Sequence, residues 1–174
     1  MGVTTTIQVD YVAIEVTHAA PSGQIFVDEI GLDPIDEKGP TANNSTDCSA
    51  WSNPSNAETS NNKYAQCSKS TPTFCNTMYD TFGFNIPNGN VVSKVRVKLE
   101  HSENTSGDYV DVAVGHPGSP DTCGNMITDA TATFPNRPSE TSEYVDITSQ
   151  KSWVPSDFDN ANLRILLNGY RGIL

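Results

Sequence analysis

Apolar and polar residues alternate at period two in one stretch of this chain after another, and helical spacing recurs nowhere. In Val91-Val92-Ser93-Lys94-Val95-Arg96-Val97-Lys98-Leu99-Glu100, the residues Val91, Val95, Val97 and Leu99 fall on one face. Lys94, Arg96, Lys98 and Glu100 fall on the other, so the strand has one buried side and one wet side. Tyr109 to Val114, Tyr144 to Thr148 and Leu163 to Leu167 repeat the pattern, and Gln24 to Ile30 and Met78 to Phe84 repeat it more weakly. Turn signals stand between them, among them Asn88-Gly89, Ser106-Gly107, Pro117-Gly118 and Asn168-Gly169. Thr, Ser, Asn, Gly and Pro supply 74 of the 174 residues, which is the makeup of short strands and many turns. The fold class expected is all-β, an antiparallel β-sandwich or jelly roll. The apolar-poor stretch from Asp36 to Gln66 reads as a long surface loop. Cys48 and Trp51 lie inside it and seek burial or pairing, which favours one domain over two.

The first strand breaks its own alternation. Ile7, Val9 and Tyr11 occupy odd positions, whereas Val12, Ile14 and Val16 occupy even ones. A change of phase of this kind implies a bulge or a strand buried on both faces. So apolar a strand needs a sheet to receive it, because left alone it is an exposed edge.

Charge and composition exclude several function classes. With 21 acidic against 10 basic residues the net charge of -11 repels phosphate backbones and anionic lipid, so nucleic acid is not an expected partner. No apolar run approaches the ~20 residues of a membrane span. The cysteines, Cys48, Cys67, Cys75 and Cys123, are even in number and lack zinc spacing, which favours disulfides. If the span between Cys67 and Cys75 is a hairpin, these two face each other and Cys48 is left with Cys123. Other connectivities, and four reduced thiols, stay open. Asn43, Asn44 and Asn104 head N-glycosylation acceptor patterns in stretches that read as surface loops. The cysteines and acceptor patterns make the expected location extracellular, at a cell or virion surface; Met1 is followed by neither a charged nor an apolar leader segment, so the expectation carries with it a removed leader or another export route.

No catalytic constellation emerges, and no enzyme is expected. His18, His101 and His116 fall at strand ends and a turn, with no nucleophile motif beside them, and read as solvated. No cofactor is expected. Calcium has one weak candidate, the oxygen side chains of Asp157, Asp159 and Asn160, which lack the Gly and Glu of an EF-hand. Trp51, Trp153, Tyr64, Tyr79 and Tyr170 are the aromatics on which a sugar would stack if they are exposed.

Trp51-Ser52-Asn53-Pro54-Ser55-Asn56-Ala57, Tyr64-Ala65, Phe82-Gly83-Phe84-Asn85-Ile86-Pro87-Asn88-Gly89, the Val91 strand and Trp153-Val154-Pro155-Ser156-Asp157 together resemble a β-sandwich module. Modules of that type recur in surface and virion-associated proteins of bacteria, archaea and their viruses. In such modules a closing strand of the form Val-Asp-Tyr-Val-x-Ile-x-Val follows a strand like Leu163 to Leu167. Here the matching strand stands at the other end, as Val9 to Val16. The resemblance, which extends to strand-exchanged pilus and thread subunits, implies two arrangements. Either the N-terminal strand folds back beside the Leu163 strand, or it fills the groove of the next subunit by donor-strand complementation. The second reading divides the chain into a donor strand, residues 1–17, and a sandwich, residues 18–174. Ile7, Val9, Tyr11, Val12, Ile14 and Val16 are then the donor residues, and Leu163, Ile165 and Leu167 flank the acceptor groove. The function implied is a structural subunit of an extracellular filament whose partners are identical subunits. The alternative is a glycan-binding or adhesin module of a larger surface or phage protein, with glycans or host surfaces as partners.

Overall fold

The computed structural model describes residues 5–21, 35–44, 48, 51–69 and 74–170. Its strands are β1 (Thr5–Ala19), β2 (Ile35–Lys38), β3 (Ala42–Asn44), β4 (Ala65–Lys69), β5 (Cys75–Asp80), β6 (Val91–Glu103), β7 (Tyr109–His116), β8 (Ile127–Pro135), β9 (Thr141–Asp146) and β10 (Arg164–Tyr170). Short 3₁₀ turns occupy Pro54–Glu58, Thr148–Gln150 and Pro155–Phe158.

Two antiparallel sheets form. One has the order β2-β1-β6-β9, with β4 also pairing β1, and the other the order β3-β5-β10-β7-β8. Both sheets contribute inward side chains to one core, which includes Val12, Ile14 and Val16 of β1, Val95, Val97 and Leu99 of β6, Val110, Val112 and Val114 of β7, and Ile165 and Leu167 of β10. Period-two alternation produces this arrangement directly: in β6 the residues from Val95 to Glu103 alternate between buried and half-buried. No helix among the described residues is long and apolar enough to cross a membrane.

Several elements differ from the sequence reading. The Asp36 to Gln66 stretch is not one loop. It contributes the end of β2, all of β3 and the 3₁₀ turn at Pro54–Glu58, and it buries Trp51 and Ala57. β8 went unread because its inward positions are Ala130, Ala132 and Phe134, two of them too small to mark a strand by hydrophobicity. The Met78 strand ends at Asp80, where Thr81 adopts a φ of 60°, and Phe82 and Phe84 reach the core from irregular backbone. The Gln24 to Ile30 candidate lies outside the described residues.

The two disulfides join Cys48 to Cys123 and Cys67 to Cys75, with Cα separations of 5.3 and 6.0 Å. The second runs from β4 in one sheet to β5 in the other and therefore straps the sheets together. Two disulfides are consistent with an oxidising, extracellular setting.

Candidate assembly groove

β1 runs through the middle of its sheet. One flank pairs with β6 from Ile7↔Glu103 to Ala19↔Val91. The other flank is shared: β4 pairs with Thr5 to Val9, and β2 with Ile14 to Thr17. Among the described residues β2 and β4 have no other strand partner in that sheet, so by strand pairing β1 alone joins them to β6; across it, Lys98 Nζ of β6 reaches Glu37 Oε1 of β2 at 3.1 Å. The space it fills is a groove walled by β6 on one side and by β2 and β4 on the other.

The change of phase in the sequence is a bulge. The β1–β6 register steps from Val9↔His101 to Tyr11↔Glu100, and Asp10 is the extra residue. Ile7 and Val9 before it and Val12, Ile14 and Val16 after it all face the core, exposed by 3% or less. Burial of each contributes about 1.5–3 kcal/mol.

The same bulge corrects the reading of Tyr11, which turns to the outer face. Its ring packs so close to Gly39 that a Cβ there would lie 2.5 Å from Tyr11 Cε2. Lys98 Nζ stands 5.4 Å from the Tyr11 ring centroid. Burial, reinforced by the charge of Glu37, raises the Tyr11 phenol above its ordinary value.

The expected neighbour of β1 also needs correction. Leu163, Ile165 and Leu167 are buried, but β10 belongs to the opposite sheet and pairs with β5 and β7. These side chains share the core with β1 and face it across the sandwich; they do not flank it. At Gly169 the approach is close: a Cβ would lie 3.1 Å from Ile7 Cδ1 and 3.2 Å from Trp51 Cζ2.

Polar contacts fasten β1 along its length. The Thr6 amide donates to Asn104 Oδ1 at 2.7 Å. The Glu15 carboxylate takes Arg96 Nε and Nη2 at 2.7 and 2.8 Å, and the Arg96 guanidinium lies over the Tyr144 ring. His18 Nε2 lies 3.4 Å from Asp36 Oδ2, and its Nδ1 lies 2.9 Å from Asn90 Nδ2.

His101 and His18 are buried rather than solvated, contrary to the sequence reading. Both ring nitrogens of His101 meet carboxylates, Glu103 at 2.7 Å and Glu143 at 3.1 Å. Arg137 completes the cluster, donating its backbone N–H to Glu103 and its guanidinium to Glu143. His116 lies beside Asp129 and Lys151 in a cleft of about 250 Å³ that Trp153 and Asp157 also line. A broader groove of about 600 Å³ lies between Tyr11, Glu37, Glu58, Lys98 and Glu100.

The remaining candidates are placed as follows. Asn43 and Asn44 lie on strand β3 and not in a loop; Asn43 Nδ2 donates to Glu58 and Asn44 Nδ2 to the Asp121 carbonyl. Asn104 is exposed. Asp157 accepts from Lys151 and from the Val154 amide, Asn160 Oδ1 accepts from the Gly83 amide, and the Asp159 carbonyl accepts from the amides of Asn162 and Leu163. Trp51 and Trp153 are each 8% exposed. Tyr79 is buried and donates to the Pro54 carbonyl, Tyr64 donates to Glu140, and Tyr170 stacks between Phe74 and Tyr109.

Comparison of the chain with family models, with curated proteins and with solved structures finds no match.

Proposed function

We propose that this chain is a structural subunit of an extracellular filament, assembled head to tail by donor-strand complementation, with β1 of one copy seated between β6 and the β2/β4 flank of the next. The observation that carries the reading is that β1 is the sole strand link between β6 and the β2/β4 flank among the described residues. A sheet built that way has a ready groove wherever its own β1 is elsewhere.

Two further features support it. β1 and β2 are neighbouring strands with Thr17 opposite Ile35, yet β1 ends at Ala19 and β2 begins at Ile35, so the fifteen residues 20 to 34 connect them, whereas a hairpin needs two to five. At roughly 3.3–3.6 Å per extended residue, that connection has the reach to pass between subunits. The strand is also acidic where the groove is not: Glu15 meets Arg96, and Asp10 meets backbone N–H groups. A head-to-tail contact that does not close into a ring builds a fibre.

A glycan-binding module is the other reading. Burial of both tryptophans and the face-to-face stacking of Tyr109 on Tyr170 leave it few open aromatic faces.

The test uses the full chain, an equimolar mixture of ¹⁵N-labelled and unlabelled protein, examined by electron microscopy and by carboxyl-to-amine cross-linking. Fibres are expected, with about half of the β1–β6 cross-links joining labelled to unlabelled peptides. Monomers at every concentration, or fibres whose β1–β6 links all stay within one chain, would overturn the reading.

A further inference from the structure

Asp10 is the residue that the β1–β6 register skips, and its side chain is buried, with 1% of the residue exposed. A buried carboxylate is costly unless hydrogen bonds compensate it. Among the described residues no basic side chain forms an ion pair with it. Its partners are backbone amides instead: Asn61 N–H at 3.3 and 3.2 Å from the two oxygens and Lys63 N–H at 3.1 Å from Oδ1. Between these residues Asn62 adopts a φ of 58°, the left-handed conformation that aims flanking amides at a common point. The turn is a backbone nest of the type that binds anions. Asn61, Asn62 and Lys63 are exposed, so the nest is not made by core packing; the Lys63 N–H is shared with Asn61 Oδ1 at 2.9 Å, which leaves the Asn61 N–H as the amide given to Asp10 alone.

The position of the nest matters for register. A strand that slips by two residues still turns its apolar side chains inward. It then presents Gln8 or Val12 to the nest in place of Asp10, and the amides lose their anion. Apolar burial tolerates that slip, and the nest does not.

We infer that the Asn61–Lys63 turn is a carboxylate-binding site for the incoming β1 of a second copy of this chain, and that Asp10 seated in it sets the register of the exchanged strand. This rests on the strand-exchange reading above. The donor half is removed by Asp10→Asn. The acceptor half is removed by Asn62→Val, since a β-branched residue is strained at that φ.

Full-length chains carrying each change are compared with the unchanged chain for polymer yield, after circular dichroism has established folding. Each variant alone is expected to polymerise at least tenfold less. An equimolar mixture is expected to give heterodimers by native mass spectrometry, because the Asn62→Val chain still carries Asp10 and the Asp10→Asn chain still carries the nest. If Asp10→Asn does not fold, Asp10→Ser is taken through the same mixture. Failure of the unchanged chain to polymerise overturns strand exchange and this inference with it. Normal polymers from both variants overturn the nest alone. Impaired variants that do not complement each other make the contact one within a single chain and also overturn the inference.

Discussion

Arg96 on β6 holds Glu15 on β1 through two parallel hydrogen bonds of 2.7 and 2.8 Å, with the carboxylate side chain 8% exposed and the guanidinium side chain 29% exposed. The paired geometry fixes both side chains, and the Tyr144 ring beneath the guanidinium shields it from water. Replacing Arg96 with Leu strands Glu15 without a partner. The expected loss is about 1.5–3 kcal/mol by urea denaturation, the range for hydrogen bonds to charged groups. Glu15→Gln is expected to cost less, since the guanidinium it leaves without a carboxylate is 29% exposed and lies over the Tyr144 ring, whereas Arg96→Leu leaves a nearly buried carboxylate. Equal losses from the two changes would contradict this account.

The His101 cluster lies deeper, with the side chains of His101 and Glu103 both fully buried. His101→Ala removes a hydrogen-bond partner from two carboxylates and leaves a cavity beside Phe134, whose ring meets the imidazole edge to face. A loss of about 2–5 kcal/mol is expected, from buried acceptors left without a partner and from the cavity. A stability within 1 kcal/mol of the parent would show that the cluster relaxes onto water.

Acid should weaken the fold through identifiable carboxyls. Burial pushes Glu143 up, but hydrogen bonds from Arg137 and His101 outweigh it and hold the carboxyl below its ordinary 4.5. Asp129 follows the same pattern, with His116 and Lys151 overcoming burial to bring it below 3.8. A depressed carboxyl stabilises the folded chain above its unfolded value, and that stabilisation is lost as the pH falls toward the folded value. Melting temperature should therefore be flat above about pH 5 as far as these two groups act and decline below it. Arg137→Gln should flatten the decline measured between pH 5 and 3. An unchanged slope would assign the acid sensitivity to other groups.

The two disulfides should contribute unequally. Loop-closure entropy gives about 4.5 kcal/mol for the Cys48–Cys123 bridge and about 2.5 kcal/mol for Cys67–Cys75, from sequence separations of 75 and 8. Double Cys→Ser replacements compared by denaturant unfolding would reveal that order. The reverse order would mean that strapping the two sheets together matters more than shortening the unfolded chain.

Gly169 supplies a direct probe of how β1 seats. A Val there drives its side chain into Ile7 and Trp51, and overpacking of this kind costs about 1–3 kcal/mol. Hydrogen exchange of the Thr6 to Val9 amides should rise more than that of Ile14 to Val16, because Gly169 lies against the first half of the strand. A uniform rise would indicate that the strand loosens as a whole.

How legible each part was depended on which residues carried it. The bulge in β1 could be read because Ile7 and Val9 against Val12, Ile14 and Val16 write the phase change in large apolar side chains. β8 could not, since Ala130 and Ala132 fill their positions with too little hydrophobic surface to stand out. Alternation also says which face of a strand is buried but not which strand lies beside it. That is why β1 was expected next to the Leu163 strand and is found between β6 and the β2/β4 pair. The nest under Asp10 was beyond reading, because it depends on one left-handed residue more than fifty positions away. Histidine burial was missed for a related reason: the compensating carboxylate Glu143 and the cation Arg137 come from a distant stretch of chain.

The central position of β1 has a mechanical consequence. A strand at a sheet edge pulled sideways unzips one hydrogen bond at a time. A strand bonded on both flanks and pulled along its own axis loads its bonds together, in shear. In a filament joined as proposed, tension along the fibre acts on β1 in that second way. The bulge at Asp10 then behaves as a detent that the strand must ride over before it can slide.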